Sequence, residues 1–402
     1  VRNYILGDTA SHVIGYTREI DAEELKAHKD EGYKLGDLIG KVGIEKAFEE
    51  HLRGTDGGEQ VEVNSLSQPI RVLGSVAPVP GYDVVLTIDS KIQMTAEKAL
   101  EVQLDELSKS EKTSKAQAGV VIAIDPRTGE ILALVSKPSY DPNMFVGELS
   151  SKDLEFLKSS PSPQPNRAIS HTYAPGSTFK VITALAALEQ GKVDTRTRFV
   201  CTGRDSASGK ACWTVERGRG HGNLNIVGGI SESCNIVFYE LGRRTGIDDL
   251  AKAARMFGLG QSSGIVMFPK DQAGLVPDRE WKMRNFKGYD RTWYPMETLD
   301  VAIGQGALLV TPLQLANVYS AIAARGALRQ PMIVKSVLDS DGRCVKEFQP
   351  TVVSNISISS HSWDILEQGL EGVTSQGTAK GAFTGFPLPV AGKTGTAQNP
   401  QG

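Results

Sequence analysis

The 402-residue chain is expected to fold as an α/β protein of the α+β kind, in two domains. Three observations predict this. The length exceeds what one ordinary hydrophobic core fills. Strand-like runs lie near both ends with helical patterns between them, which implies a mostly antiparallel sheet flanked by helices. Residues 1–88 also differ in texture from 89–402, as a small α+β module would.

In the first 88 residues, Ile44–Leu52 has the pattern of a short amphipathic helix, preceded by Gly40 and Gly43 and closed by Gly54. Strand-like runs follow at Gln60–Asn64, Ile70–Val76 and Asp83–Ile88, separated by Ser, Gly and Pro. Asp89 is placed to cap a helix over Ser90–Leu107, whose apolar residues Ile92, Ala96, Ala99, Leu100, Val102 and Leu104 recur at helical spacing. Ser108–Gln117 is polar and aperiodic, a loop. Ala118–Ala123 and Glu130–Val135 form a strand pair around Asp125-Pro126-Arg127-Thr128-Gly129, which is turn chemistry. Lys158–Asn166 is a Ser/Pro-rich loop. Helical patterns dominate from Phe179 until a strand-like run at Leu388–Thr396.

Composition narrows the function. The chain is 40% hydrophobic and 23% charged, which suits a folded globular protein. Its net charge of −3 offers no electrostatic footprint for nucleic acid. No run of roughly 18 apolar residues appears, so no membrane span is expected within it.

Three short segments carry the chemistry. In Tyr173-Ala174-Pro175-Gly176-Ser177-Thr178-Phe179-Lys180, Pro175-Gly176 halts what precedes and Phe179, Val181, Ile182, Ala184, Leu185 and Leu188 open a helix. Ser177 therefore sits at a helix N-terminus, and Lys180 lies one turn on over the same face. A serine hydroxyl needs a base to become a nucleophile. Lysine serves only when neutral, which requires its pKa to fall by about 3 units, roughly 4 kcal/mol. Burial and a second cation are the two means. Ser231-Glu232-Ser233-Cys234-Asn235 contributes Ser233 and Asn235. Gly392-Lys393-Thr394-Gly395-Thr396-Ala397 contributes a cation, two hydroxyls, and glycines that allow close backbone approach. Each segment alone has a plain structural explanation: an N-capping serine with a solvated lysine, a helix cap, a surface lysine on a strand. All three in this order are the triplet of penicillin-binding proteins and serine β-lactamases.

On these residues the chain resembles a class B penicillin-binding protein over nearly its whole length. Asn166-Arg167-Ala168, Ile303-Gly304-Gln305-Gly306, Thr311-Pro312-Leu313-Gln314 and Leu86-Thr87-Ile88-Asp89 also match that family. Ser11-His12-Val13-Ile14-Gly15-Tyr16 and Gly40-Lys41-Val42-Gly43-Ile44-Glu45 are similar to its elongation-type branch, penicillin-binding protein 2. The resemblance implies a pedestal module over 1–88 and a transpeptidase domain over 89–402. It implies two further sheet strands and a C-terminal helix beyond Gly395, and an upstream helix anchoring the protein at the extracytoplasmic face of a bacterial membrane. It implies cross-linking of peptidoglycan stem peptides during wall elongation, and inhibition by β-lactam antibiotics. Ser177 would be the nucleophile and Lys180 its base. Ser233 would relay a proton, supported by Asn235 and Lys393. Thr394, Gly395 and Thr396 would bind the substrate carboxylate, and the N–H groups of Ser177 and Thr396 would form the oxyanion hole. Implied partners are a membrane glycosyltransferase of the SEDS class and elongation-complex scaffold proteins. A β-lactam sensor and a serine β-lactamase are the alternatives; the N-terminal module argues against the latter.

No cofactor is expected for catalysis. Cys201, Cys212, His221 and Cys234 nevertheless form a Cys₃His set, a standard structural zinc combination, in a region made flexible by Gly203, Gly209, Gly218, Gly220 and Gly222. Some elongation-type relatives are similar in binding zinc close to the second motif; His221 and Cys234 match that pattern by spacing. The competing expectations are a Cys201–Cys212 disulfide and free buried thiols. Cys344 stands apart.

Overall fold

The computed structural model describes residues 2–111 and 113–397. The chain divides into two compact units. The first takes in the chain up to Ser170 together with Gly264–Asp271 and Gln330–Thr351; the second comprises His171–Ser263, Gln272–Arg329 and the chain from Val352 on. Every strand ladder among the described residues is antiparallel.

In the first unit, strands Gly58–Val63 and Pro69–Val76 form a hairpin, and Asp83–Leu86 joins Val334–Leu338 and Cys344–Glu347 in a three-stranded sheet. The expected helix at Asp89 is present as Ser90–Ser108, with the Asp89 carboxylate accepting from the Lys91 and Ile92 amides at 2.9 and 3.0 Å. It packs on the hairpin Gly119–Ile124/Ile131–Lys137. Buried Gln93 completes that hairpin's free edge: its Oε1 accepts from Leu134 N at 2.8 Å and its Nε2 donates to Leu134 O at 3.3 Å. The single helix expected over Ile44–Leu52 is two, Gly43–Ala47 and Glu49–Leu52. Phe48, at φ −121° with its ring buried, interrupts the run. Among the described residues no helix is long and apolar enough to cross a membrane.

The second unit is built around helix Lys180–Glu189, buried at every residue but the last. A helix apolar all round belongs inside a core. Asn235–Thr245, Ile247–Met256 and Ser360–Ser375 pack against it. Small residues set the approaches of Asn235–Thr245 to Pro295–Ala302 and of Ser360–Ser375 to Ile226–Ser231. A Cβ on Gly242 would meet Ala302 Cβ at 2.6 Å, and one on Gly369 would meet Ile230 at 2.8 Å. The Thr311-Pro312-Leu313-Gln314 motif is a buried capping box: Thr311 Oγ1 accepts from Gln314 N at 3.1 Å and Gln314 Oε1 accepts from Thr311 N at 2.8 Å. Two short ladders were not expected, Phe199–Cys201 with Gly222–Leu224 and Ala327–Arg329 with Val352–Asn355.

The strand expected over Leu388–Thr396 is not formed. A strand exists only where a neighbour completes its ladder, and among the described residues no strand pairs with this segment. It is tied instead by single bonds, such as Gly392 N to Leu370 O at 3.1 Å.

Candidate active site

All three motifs lie in the second unit, and the structure brings them together. Ser177 occupies a 3₁₀ turn, Gly176–Phe179, and the α-helix proper starts at Lys180, whose amide donates to Ser177 O. Two glycines shape this turn. Gly176, at φ +57°, donates its N–H to Gly304 O at 2.8 Å. Gly304 has φ +75°, and a Cβ there would stand 2.0 Å from Gly176 O. Backbone lies directly on backbone, so neither position accepts a side chain. The Ile303–Gly306 motif is thereby explained as the floor under Ser177. Tyr173 and Val310 exchange backbone bonds at 2.8 and 2.9 Å, and Tyr319 donates its hydroxyl to Thr178 O at 2.9 Å.

Lys180 is fully buried, 5.2 Å over the Phe238 ring. Its Nζ donates to Ser233 O at 2.8 Å, Ser233 Oγ at 3.3 Å and Asn235 Oδ1 at 2.7 Å. The Ser177 hydroxyl is not among these three acceptors. Burial, reinforced by the charge of Lys393, pushes Lys180 down to about 7. Lys393 is itself pushed down by burial, to about 8. Its Nζ donates to Ser233 Oγ at 2.7 Å, so the Ser233 hydroxyl bridges the two lysines.

Ser233 holds this position at a conformational cost. Its φ is +51°, the left-handed region that a non-glycine residue enters rarely and that costs of order 1–3 kcal/mol. The turn is secured by Ser233 N to Ile230 O at 3.1 Å and Cys234 N to Gly229 O at 3.0 Å. Asn235 opens helix Asn235–Thr245, and its Nδ2 donates to Ala211 O at 3.3 Å.

The third segment lies against the first. A Cβ on Gly395 would stand 2.7 Å from Thr178 Cγ2, and one on Gly176 would stand 2.5 Å from Thr396 O. Thr394 Oγ1 is 2.7 Å from Thr378 Oγ1. Thr396 is exposed. Thr378 escaped sequence reasoning; its only local sign was the dipeptide Gly377-Thr378 after a helix.

Cys201, Cys212, His221 and Cys234 also converge, with their donor atoms all within 4.8 Å of one another. Cys201 Sγ and Cys212 Sγ each lie 3.5 Å from His221 Nδ1. All four cysteines of the chain are free; the Cys201–Cys212 disulfide entertained from the sequence is not formed. Cys344 is exposed and distant in sequence from the cluster.

Against known proteins, residues 119–401 match the penicillin-binding protein transpeptidase domain family, and residues 1–86 match the penicillin-binding protein dimerisation domain family. A peptidoglycan D,D-transpeptidase MrdA of Acinetobacter baumannii is 37% identical over 400 residues, 99% of this chain. The chain spans 56% of that relative's length. Among solved structures, one describing the structural coordination of polymerization and crosslinking by a peptidoglycan synthase complex superposes with a TM-score of 0.84 at 35% identity. That match covers 97% of this chain and 65% of the other. A complex between penicillin-binding protein PBP2 and MreC from Helicobacter pylori superposes with a TM-score of 0.80 at 28% identity, covering 98% and 69%. Family match, whole-chain identity and shared fold agree with the three converging motifs: the chain belongs to the penicillin-binding protein transpeptidases, in their class B, penicillin-binding protein 2 branch.

Proposed function

We propose that this chain carries a peptidoglycan D,D-transpeptidase centre that cross-links stem peptides through an acyl-enzyme on Ser177 during wall elongation, and that β-lactam antibiotics acylate the same serine. One observation carries the proposal. The Ser233 hydroxyl lies 3.3 Å from a fully buried Lys180 and 2.7 Å from Lys393, beside the Ser177 turn.

That geometry supports the roles the resemblance implies. Lys180, lowered to about 7, is neutral in a large fraction of molecules near neutral pH and takes the Ser177 proton. Ser177 Oγ attacks the carbonyl of the penultimate D-Ala, and the N–H groups of Ser177 and Thr396 receive the oxyanion. Ser233 passes a proton to the amine of the departing D-Ala and is reprotonated through Lys180, with Asn235 holding the lysine in place. Lys393, Thr394 and Thr396 bind the terminal carboxylate, and Gly395 lets their segment approach the Ser177 turn. An amine from a neighbouring stem then resolves the ester. No cofactor takes part.

We further assign a structural zinc site to Cys201, Cys212, His221 and Cys234. Bond lengths of about 2.3 Å to sulfur and 2.0 Å to nitrogen at a tetrahedral angle put the two donors about 3.5 Å apart. That agrees with the 3.5 Å separations of His221 Nδ1 from Cys201 and Cys212. With four protein donors the ion would have no open position, and it would brace the strained Ser233 turn through Cys234. X-ray fluorescence on protein purified without chelator should show a zinc edge; its absence would remove the assignment.

The resemblance implies a membrane glycosyltransferase of the SEDS class and elongation-complex scaffold proteins as partners; a structural relative in a complex for polymerization and crosslinking and another bound to MreC support partners of these kinds. The same resemblance implies a place at the extracytoplasmic face of a bacterial membrane, with an N-terminal helix as anchor. The direct test is covalent labelling with a fluorescent penicillin. Ser177 should carry the label and Ser177→Ala should carry none. Label that survives the substitution would refute the proposal, and rapid release of the label would indicate a lactamase instead.

A further inference from the structure

The C-terminal end of helix Ser360–Ser375 reaches two of the three motifs at once. It is cut to fit Ser231: a Cβ on Gly372 would stand 2.1 Å from Ser231 Oγ, and one on Gly377 2.2 Å from Ser231 O. Ser231 Oγ donates to Gly369 O at 3.1 Å. Next in the chain, Thr378 donates its amide to Ser231 O at 3.3 Å, two residues before Ser233. Its hydroxyl lies 2.7 Å from that of Thr394. Thr374 also donates to Val390 O, just ahead of Lys393.

We propose that Thr378 is a positioning residue for recognition of the substrate's terminal carboxylate, acting through Thr394; this rests on the transpeptidase function proposed above. Each hydroxyl has one proton, so two hydroxyls at 2.7 Å share one hydrogen bond and leave one proton over. A carboxylate can only accept. When it docks at Lys393 and Thr394, the favoured arrangement has Thr378 donating to Thr394 Oγ1, which frees the Thr394 proton for the carboxylate. The Thr378 amide bond to Ser231 holds the residue ready for this, so little ordering is left to do on binding.

The test uses the full-length protein and two probes, a penicillin with its free carboxylate and the methyl ester of the same compound. Second-order acylation rates are measured for each. Thr378→Val should slow acylation by the carboxylate probe on the order of tenfold, the scale of one hydrogen bond to a charged group. It should leave the ester rate unchanged, and Thr378→Ser should restore the native ratio. An equal fall for both probes would reduce Thr378 to structural support, and an unaltered carboxylate rate would deny it any role; either overturns the inference. Ser177→Ala is run in parallel. Label persisting there overturns the transpeptidase function itself, whereas label lost there with an unaltered ratio in Thr378→Val overturns only the role of Thr378.

Discussion

The two lysines of the site are held in opposite ways. Lys180 rises from a buried helix, is fully enclosed, and spends its three donors on Ser233 and Asn235. Lys393 lies on an irregular segment and, among the described residues, its Nζ donates to Ser233 Oγ and Thr394 O. The first is placed by local helix geometry, the second by tertiary contacts with other elements. In the proposed mechanism the chemistry, which must be unchanging, sits on the helix, and recognition, which must admit and release a substrate, sits on the segment with few bonds.

The largest effect that can break this contrast is at Lys180. Lys180→Met keeps most of the buried volume and removes the proposed base. Acylation by penicillin should fall by roughly 10²–10⁴, the range for general-base catalysis, while the circular dichroism melt stays cooperative. A fall below tenfold would mean that another group takes the Ser177 proton.

The pH profile sharpens the contrast with a smaller effect. The proposed mechanism needs Lys180 neutral and Lys393 charged. Acylation should therefore rise as pH climbs through about 7 and decline above about 8. Because the Lys393 charge helps depress Lys180, its removal lets the Lys180 pKa rise. In Lys393→Met the rising limb should move to higher pH and the falling limb should vanish. A rising limb that stays in place would show the two lysines to be uncoupled.

The smallest effect concerns the first unit. His12 is buried against Pro163 O at 2.7 Å, and burial pushes its pKa down to about 4. The unfolded chain binds the extra proton below about 6.5, so the stabilisation from neutral His12 is complete above that pH and is lost as pH falls towards 4. A melting temperature that declines over this window, with the decline weakened in His12→Gln, is the expected result; parallel declines in both proteins would assign the loss elsewhere.

What the sequence made legible follows the same division. The Asp89 cap and the 119–137 hairpin were readable because their signals are local: one carboxylate before an amphipathic run, one Asp-Pro-x-x-Gly turn. Ser177, Lys180, Ser233, Asn235 and Lys393 were readable by type and order, and the fold brings them together. The strand expected at Leu388–Thr396 failed because apolar alternation says nothing of whether a partner strand lies alongside. Thr378 was invisible for a related reason: its meaning resides in a contact across 16 residues with Thr394. The break at Phe48 reflects a ring that packs inward at the expense of helix continuity.

The bare backbone contact between Gly176 and Gly304 has a consequence for drug tolerance. Added bulk near a nucleophile is one way to exclude an inhibitor. Here the wall beneath Ser177 has no space for even a methyl group. Substitution at either glycine would displace the serine from its own substrate as much as from the drug. With β-lactams acylating Ser177 as proposed, variants that blunt them are expected on the more loosely held side around Lys393 and not at these two glycines.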